Sequence, residues 1–200
     1  MSSPQIAILH TESIPAEVFT EFVRIVSADK LNLHVEAREE GGLYAGLEWL
    51  IPTAVIVYLG KSYFDGFLKE MGKDHYNLLK DGLKTLRERL LGSSAPEITT
   101  ASTPGKATKD QPYSLVYSIL AQGEAGLRFK LLLQRGVSER EYEEILDSFL
   151  AFLDAYHAQS LERETVEKLR TSRVVGGTIL LAFNQETNVI EFLDPIPKKP

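Results

Sequence analysis

The sequence predicts an α/β fold in two parts: an N-terminal β-α-β-α-β-α unit with a parallel sheet, followed by a C-terminal β-β-α-β-β part. Three observations point there. Thr53 to Leu59 is a β-branched run, the pattern of a central strand buried on both faces. Between residues 5 and 91, short apolar runs alternate with helical periodicity, which implies parallel strands joined by crossover helices. Beyond residue 112, turn residues separate paired apolar runs, the mark of hairpins.

The elements follow in order. Gln5 to His10 reads as a short buried strand. Pro15 sits in the first turn of a helix, where its missing N–H costs nothing, and Val18, Phe19, Phe22, Val23 and Val26 recur at helical spacing. Leu31 to Ala37 alternates: Leu33, Val35 and Ala37 point one way, Asn32, His34 and Glu36 the other. That is a strand with one wetter face, near a sheet edge. Gly41-Gly42 breaks the chain, and a short helix, Leu43 to Leu50, stops before Pro52. After the Thr53–Leu59 strand comes a helical stripe of Phe64, Phe67, Leu68, Met71, Leu78, Leu79, Leu83, Leu86 and Leu90, which Gly72 divides in two. This completes a unit over residues 1–91.

Residues 92–112 are rich in Ser, Thr, Pro, Gly and Lys and read as a loop or linker, with Glu97 to Ala101 as a strand candidate. Tyr113 to Gln122 and Leu127 to Gln134 flank Gly123-Glu124-Ala125-Gly126 as a hairpin, with Tyr113, Leu115 and Tyr117 on one face by period two. Ser138 and Glu141 form a capping box, and the helix that starts there is expected to run to about Leu169. Its apolar stripe is Tyr142, Ile145, Leu146, Phe149, Leu153 and Tyr156. A second hairpin pairs Thr178 to Phe183 with Val189 to Leu193. Residues 113–194 either continue the first sheet or form their own layer, and 195–200 form a frayed tail.

Composition narrows the functions. A 44% hydrophobic and 25% charged chain is globular. Acidic groups outnumber basic ones, 28 to 22, so a general nucleic-acid binder is not expected. The absence of cysteine excludes disulfides, thiolate metal sites and cysteine nucleophiles. No apolar run approaches the length of a membrane span, and none near the N-terminus makes a signal core, so the expectation is a soluble cytoplasmic protein.

Few motifs carry chemistry. Gly60-Lys61-Ser62 looks like the end of a P-loop, but Val55 stands where that motif needs a glycine. It is expected to be a strand-to-helix turn with Ser62 as N-cap. His10, His34, His75 and His157 include no pair at metal-ligand spacing, so no metal site is expected. His75 and His157 lie on apolar stripes and read as packing residues. Glu36, Glu39 and Glu40 lack the spacing of a calcium loop. In a parallel sheet, ligands bind at the carboxyl ends of the strands. Three loops would then meet at one rim: His10-Thr11-Glu12-Ser13, Arg38 to Gly42, and Gly60 to Tyr63. The ligand-binding candidates are His10, Ser13, Arg38, Lys61, Ser62 and Tyr63, with Glu70 overhanging; the alternative is a solvated edge.

Residues 33–71 resemble the middle of a TIR domain, or more broadly a flavodoxin-like one: Leu33 to Ala37, Arg38-Glu39-Glu40-Gly41-Gly42, Leu43 to Leu50, Thr53 to Leu59, Gly60-Lys61-Ser62-Tyr63, then Glu70. The resemblance implies that Glu70 is the catalytic carboxylate of an NAD-cleaving site, steadying the cationic sugar as nicotinamide leaves. Arg38 and Ser62 would then bind the substrate, NAD.

Three functions follow. The leading expectation is a non-catalytic protein-interaction or regulatory module without a cofactor, belonging to a larger cytoplasmic assembly. It would dock a protein partner or a second copy through the Tyr142–Tyr156 helix face or a hairpin edge. The alternatives are a TIR-like NAD glycohydrolase, and a sensor binding a small molecule or nucleotide at the strand-end rim.

Overall fold

A computed structural model describes residues 3–38, 53–93, 95 and 112–194. Its strands are β1 (Ile6–Thr11), β2 (Leu33–Arg38), β3 (Val55–Leu59), β4 (Tyr113–Gln122), β5 (Arg128–Gln134), β6 (Thr178–Asn184) and β7 (Val189–Leu193). They form one sheet in the order β2-β1-β3-β4-β5-β6-β7. The helices are α1 (Thr20–Val26), α2 (Leu68–Met71), α3 (Lys73–Leu91), α4 (Glu139–His157) and α5 (Arg163–Thr171). The fold is therefore α/β, and the second part of the chain continues the first sheet, because β4 pairs with β3. The helix expected at Leu43–Leu50, the strand candidate at Glu97–Ala101, most of the 92–112 linker and the tail lie outside the described residues.

The sheet is mixed. β1 and β2 are parallel, as expected, but β3 runs against β1 and parallel to β4. Three β-α-β units thus lie side by side: β1-α1-β2, β3-α2-α3-β4 and β5-α4-α5-β6. Each makes a parallel pair, and neighbouring units meet through antiparallel strands. Hydrophobic periodicity marks a strand but not its direction, so alternating elements alone do not separate this arrangement from an all-parallel sheet.

One face carries the main core. Ile6, Ile8, Val55, Val57, Leu59, Tyr117, Ile119, Phe129, Leu131, Ile179 and Leu181 meet Phe22 and Val26 of α1, Leu79, Leu83 and Leu86 of α3, and Leu146, Phe149 and Leu153 of α4. A β-carbon on Gly82 of α3 would come within 2.4 Å of Val26 Cγ2, so this glycine lets α1 lie close. On the opposite face Leu9, Ile56, Leu120, Leu132 and Leu180 are also buried. β3 is thus the doubly buried strand that its composition predicts. Among the described residues, no helix is long and apolar enough to cross a membrane.

Four local expectations change. A bulge in β4 between Tyr113 and Ser118 breaks the alternation, so Tyr117 enters the main core while Tyr113 packs with Leu132 and Leu180 on the other face. The long helix ends at His157 rather than near Leu169. Gln159 takes φ 56°, and α5 begins at Arg163. The start of α4 is as expected: Glu141 N donates to Ser138 Oγ at 3.3 Å, and Ser138 N donates to Glu141 Oε2 at 2.7 Å. The Tyr142–Tyr156 stripe is core, with Tyr142, Ile145, Leu146, Phe149 and Leu153 buried, so it offers no docking face. Among the described residues, only the second of the two hairpins reaches a sheet edge, through β7.

Candidate functional site

The direction of β3 decides where the candidate residues fall. The carboxyl ends of β1 and β2 lie at one end of the sheet, and that of β3 lies at the other. The single rim is therefore split: His10, Ser13 and Arg38 are at the first end, while Lys61, Ser62, Tyr63 and the helix bearing Glu70 are at the second.

At the first end each group is held by its own neighbours. His10 is buried, its Nδ1 lies 2.9 Å from Thr11 O, and its ring lies 4.5 Å from that of Phe19. Ser13 Oγ is 3.1 Å from Thr11 Oγ1. Arg38 donates to Thr53 O at 2.6 Å, which ties β2 to the start of β3.

At the second end, β3 passes into helix without a capped start. Gly60 is required by close approach, because a β-carbon there would lie 2.6 Å from Pro4 O. Ser62 is already in helical conformation (φ −63°, ψ −19°) and makes no side-chain cap, contrary to the expected N-cap role. Next comes a π-helical turn, Tyr63–Phe67, closed by Leu68 N donating to Tyr63 O. The wide turn buries Tyr63, Phe64 and Phe67 together and leaves Asp65 half-buried. Tyr63 is a core residue. Its hydroxyl is 3.1 Å from His75 Nδ1, and burial drives its pKa far upward. Glu70 and Ser62 are exposed, and Glu70 shares no site with Arg38.

The structure assembles a polar cluster here that sequence reasoning missed. Lys61 Nζ donates to Asp65 Oδ2 and lies 3.2 Å from Glu124 Oε1, on the β4–β5 turn. The bond to Asp65, and then that to Glu124, raise the lysine pKa and keep the ammonium charged. Gln122 Oε1 accepts from Tyr58 OH at 2.7 Å and from Lys61 N at 3.2 Å. Beneath lies His157, in the last turn of α4, its side chain 3% exposed. Its ring stacks on Phe64 at 4.6 Å with 8° between planes, and Nδ1 is 3.5 Å from Asp65 Oδ1. Neither ring nitrogen reaches a hydrogen bond of good geometry, although the Gln122 main-chain carbonyl lies close enough to favour the protonated ring. Burial lowers the pKa of His157. The Asp65 and Glu124 carboxylates and the nearby Gln122 main chain oppose that shift, and the Lys61 charge adds to it. In the sequence, the signal for this cluster is limited to Lys61 and Asp65 at (i, i+4) spacing.

A second exposed feature lies at the sheet edge. His34, Val35, Glu36 and Ala37 of β2 are all exposed, with Val35 at 39%. Among the described residues, β2 pairs on one side only, with β1. At the other edge, Ile190 and Phe192 of β7 pack against the core.

No family model matches the chain, and neither a curated protein nor a solved structure matches it.

Proposed function

We propose that the chain is a non-catalytic interaction module that takes an extended segment of a protein partner along β2. The supporting observation is the run of four exposed strand residues, His34 to Ala37, in a strand that among the described residues pairs only with β1. An open strand presents unpaired N–H and C=O groups in register, and an added strand gains main-chain hydrogen bonds while its side chains meet alternate positions. His34 and Glu36 on one face guard against indiscriminate pairing; Val35 and Ala37 on the other supply apolar contact.

The chain has no cysteine, so single cysteines carrying a photo-crosslinker can be placed cleanly. The comparison is Val35→Cys on β2 against Leu78→Cys on α3, where Leu78 is 40% exposed. The expected result is a defined partner segment cross-linked from position 35 and not from 78, and lost in Glu36→Lys combined with Val35→Cys. Equal labelling from both positions would exclude β2 as the contact.

A further inference from the structure

We propose that Asp65, Glu124 and His157 form a binding site for a divalent transition-metal ion of the zinc type, closed by the Lys61 ammonium until the metal displaces it. The three donors come from three separate elements: the π-helical turn, the β4–β5 turn and the last turn of α4. One ligand atom from each lies within 4.8 Å of the other two. Ligands at ordinary bond lengths of about 2.0–2.2 Å sit roughly 3–3.5 Å apart, so the donors need to close in by about 1 Å. Glu124 can supply that movement, since it is on a turn and its side chain is 55% exposed.

His157 is what separates this cluster from an ordinary group of surface charges. A phenylalanine would fill the space between Phe64 and Tyr156 without burying two ring nitrogens that reach no hydrogen bond of good geometry. An unsatisfied buried polar group is destabilising, and a metal on Nδ1, the nitrogen facing Asp65, removes that penalty for one of the two. One imidazole nitrogen with two carboxylates suits zinc, cobalt or nickel; calcium and magnesium prefer all-oxygen sets. Lys61 already shows that the two carboxylates hold a cation between them. Its side chain is 36% exposed on a flexible stem, so it can swing into solvent when a doubly charged ion competes for the same oxygens. Solvent on the Glu124 side leaves the remaining coordination positions to water.

The test is calorimetric titration of the untagged chain with zinc chloride, with the visible spectrum of the cobalt complex as a second readout. One equivalent is expected to bind. Lys61→Met, which removes the competing ammonium, is expected to bind about tenfold tighter, and His157→Gln at least about tenfold more weakly. His157→Phe retains the ring stack, so it keeps the test open if the glutamine variant does not fold. It should remain folded and lose the zinc-dependent rise in melting temperature. The proposal is overturned if wild type and Lys61→Met both fail to bind zinc at millimolar concentration. It is also overturned if binding survives unchanged in the His157 variants.

Discussion

His75 and His157 sit in two environments that look alike in sequence and differ in chemistry. Both lie on apolar helix stripes, and both are pressed among aromatic rings: His75 beside Tyr63 and Phe67, His157 beside Phe64 and Tyr156. Burial lowers the pKa of each. Their hydrogen bonding separates them. His75 Nε2 lies 2.8 Å from Val26 O, which can only accept, so the ring donates there and Nδ1 accepts from the Tyr63 hydroxyl. The ring clamps α1, α3 and the π-helical turn together. His157 makes no comparable hydrogen bond of good geometry; its Nδ1 lies 3.5 Å from Asp65 Oδ1 and its ring faces the Asp65–Glu124 pair. A histidine on an apolar stripe is thus predictably buried, but its partners decide whether it is structural.

This contrast orders the expected effects. His75→Phe should be the most damaging change. It leaves the Tyr63 hydroxyl and the Val26 carbonyl buried and unpaired, at about 1–3 kcal/mol each, and urea unfolding should show a loss near 3 kcal/mol. Tyr63→Phe takes away one of the two bonds and should cost about 1–2 kcal/mol in the same experiment. His157→Phe should stay within about 1 kcal/mol of wild type, because it removes no hydrogen bond of good geometry and keeps the ring contacts.

The pH dependence has a fixed sign. Both histidines have pKa values below the ordinary 6.5 in the folded chain, so the unfolded chain binds protons first as pH falls. The stability they contribute is complete above that value and declines as pH drops from 6.5 toward the lower folded values. His157→Phe should flatten the unfolding free energy between pH 7 and 5 without changing it much at pH 8. The smallest stability effect is expected at β2, which among the described residues pairs only with β1. Val35→Lys should shift unfolding by less than about 0.5 kcal/mol while weakening partner capture along β2.

The fold was legible where local pattern determines it. The β-branched composition of β3, the Ser138–Glu141 box and both hairpins are all where the sequence places them. Strand direction was not legible. Nothing in Thr53 to Leu59 tells whether the strand runs with or against β1, and the reversal moves Lys61, Ser62 and Tyr63 away from His10 and Arg38. The bulge in β4 and the turn at Gln159 carry no glycine, so neither announces itself. The Asp65–Glu124–His157 cluster was hidden for a different reason. Its members are 59 and 33 residues apart, and no local spacing marks them; pairing of β3 with β4 and the length of α4 bring them together.

The most direct measurement of the account compares melting curves of wild type, His157→Phe and Tyr63→Phe with and without millimolar zinc. A ligand that binds only the folded chain raises its melting temperature. Wild type and Tyr63→Phe should both rise by several degrees, although the second starts lower, and His157→Phe should not move. Equal shifts in all three, or none in any, would contradict the assignment of His157 to a ligand site.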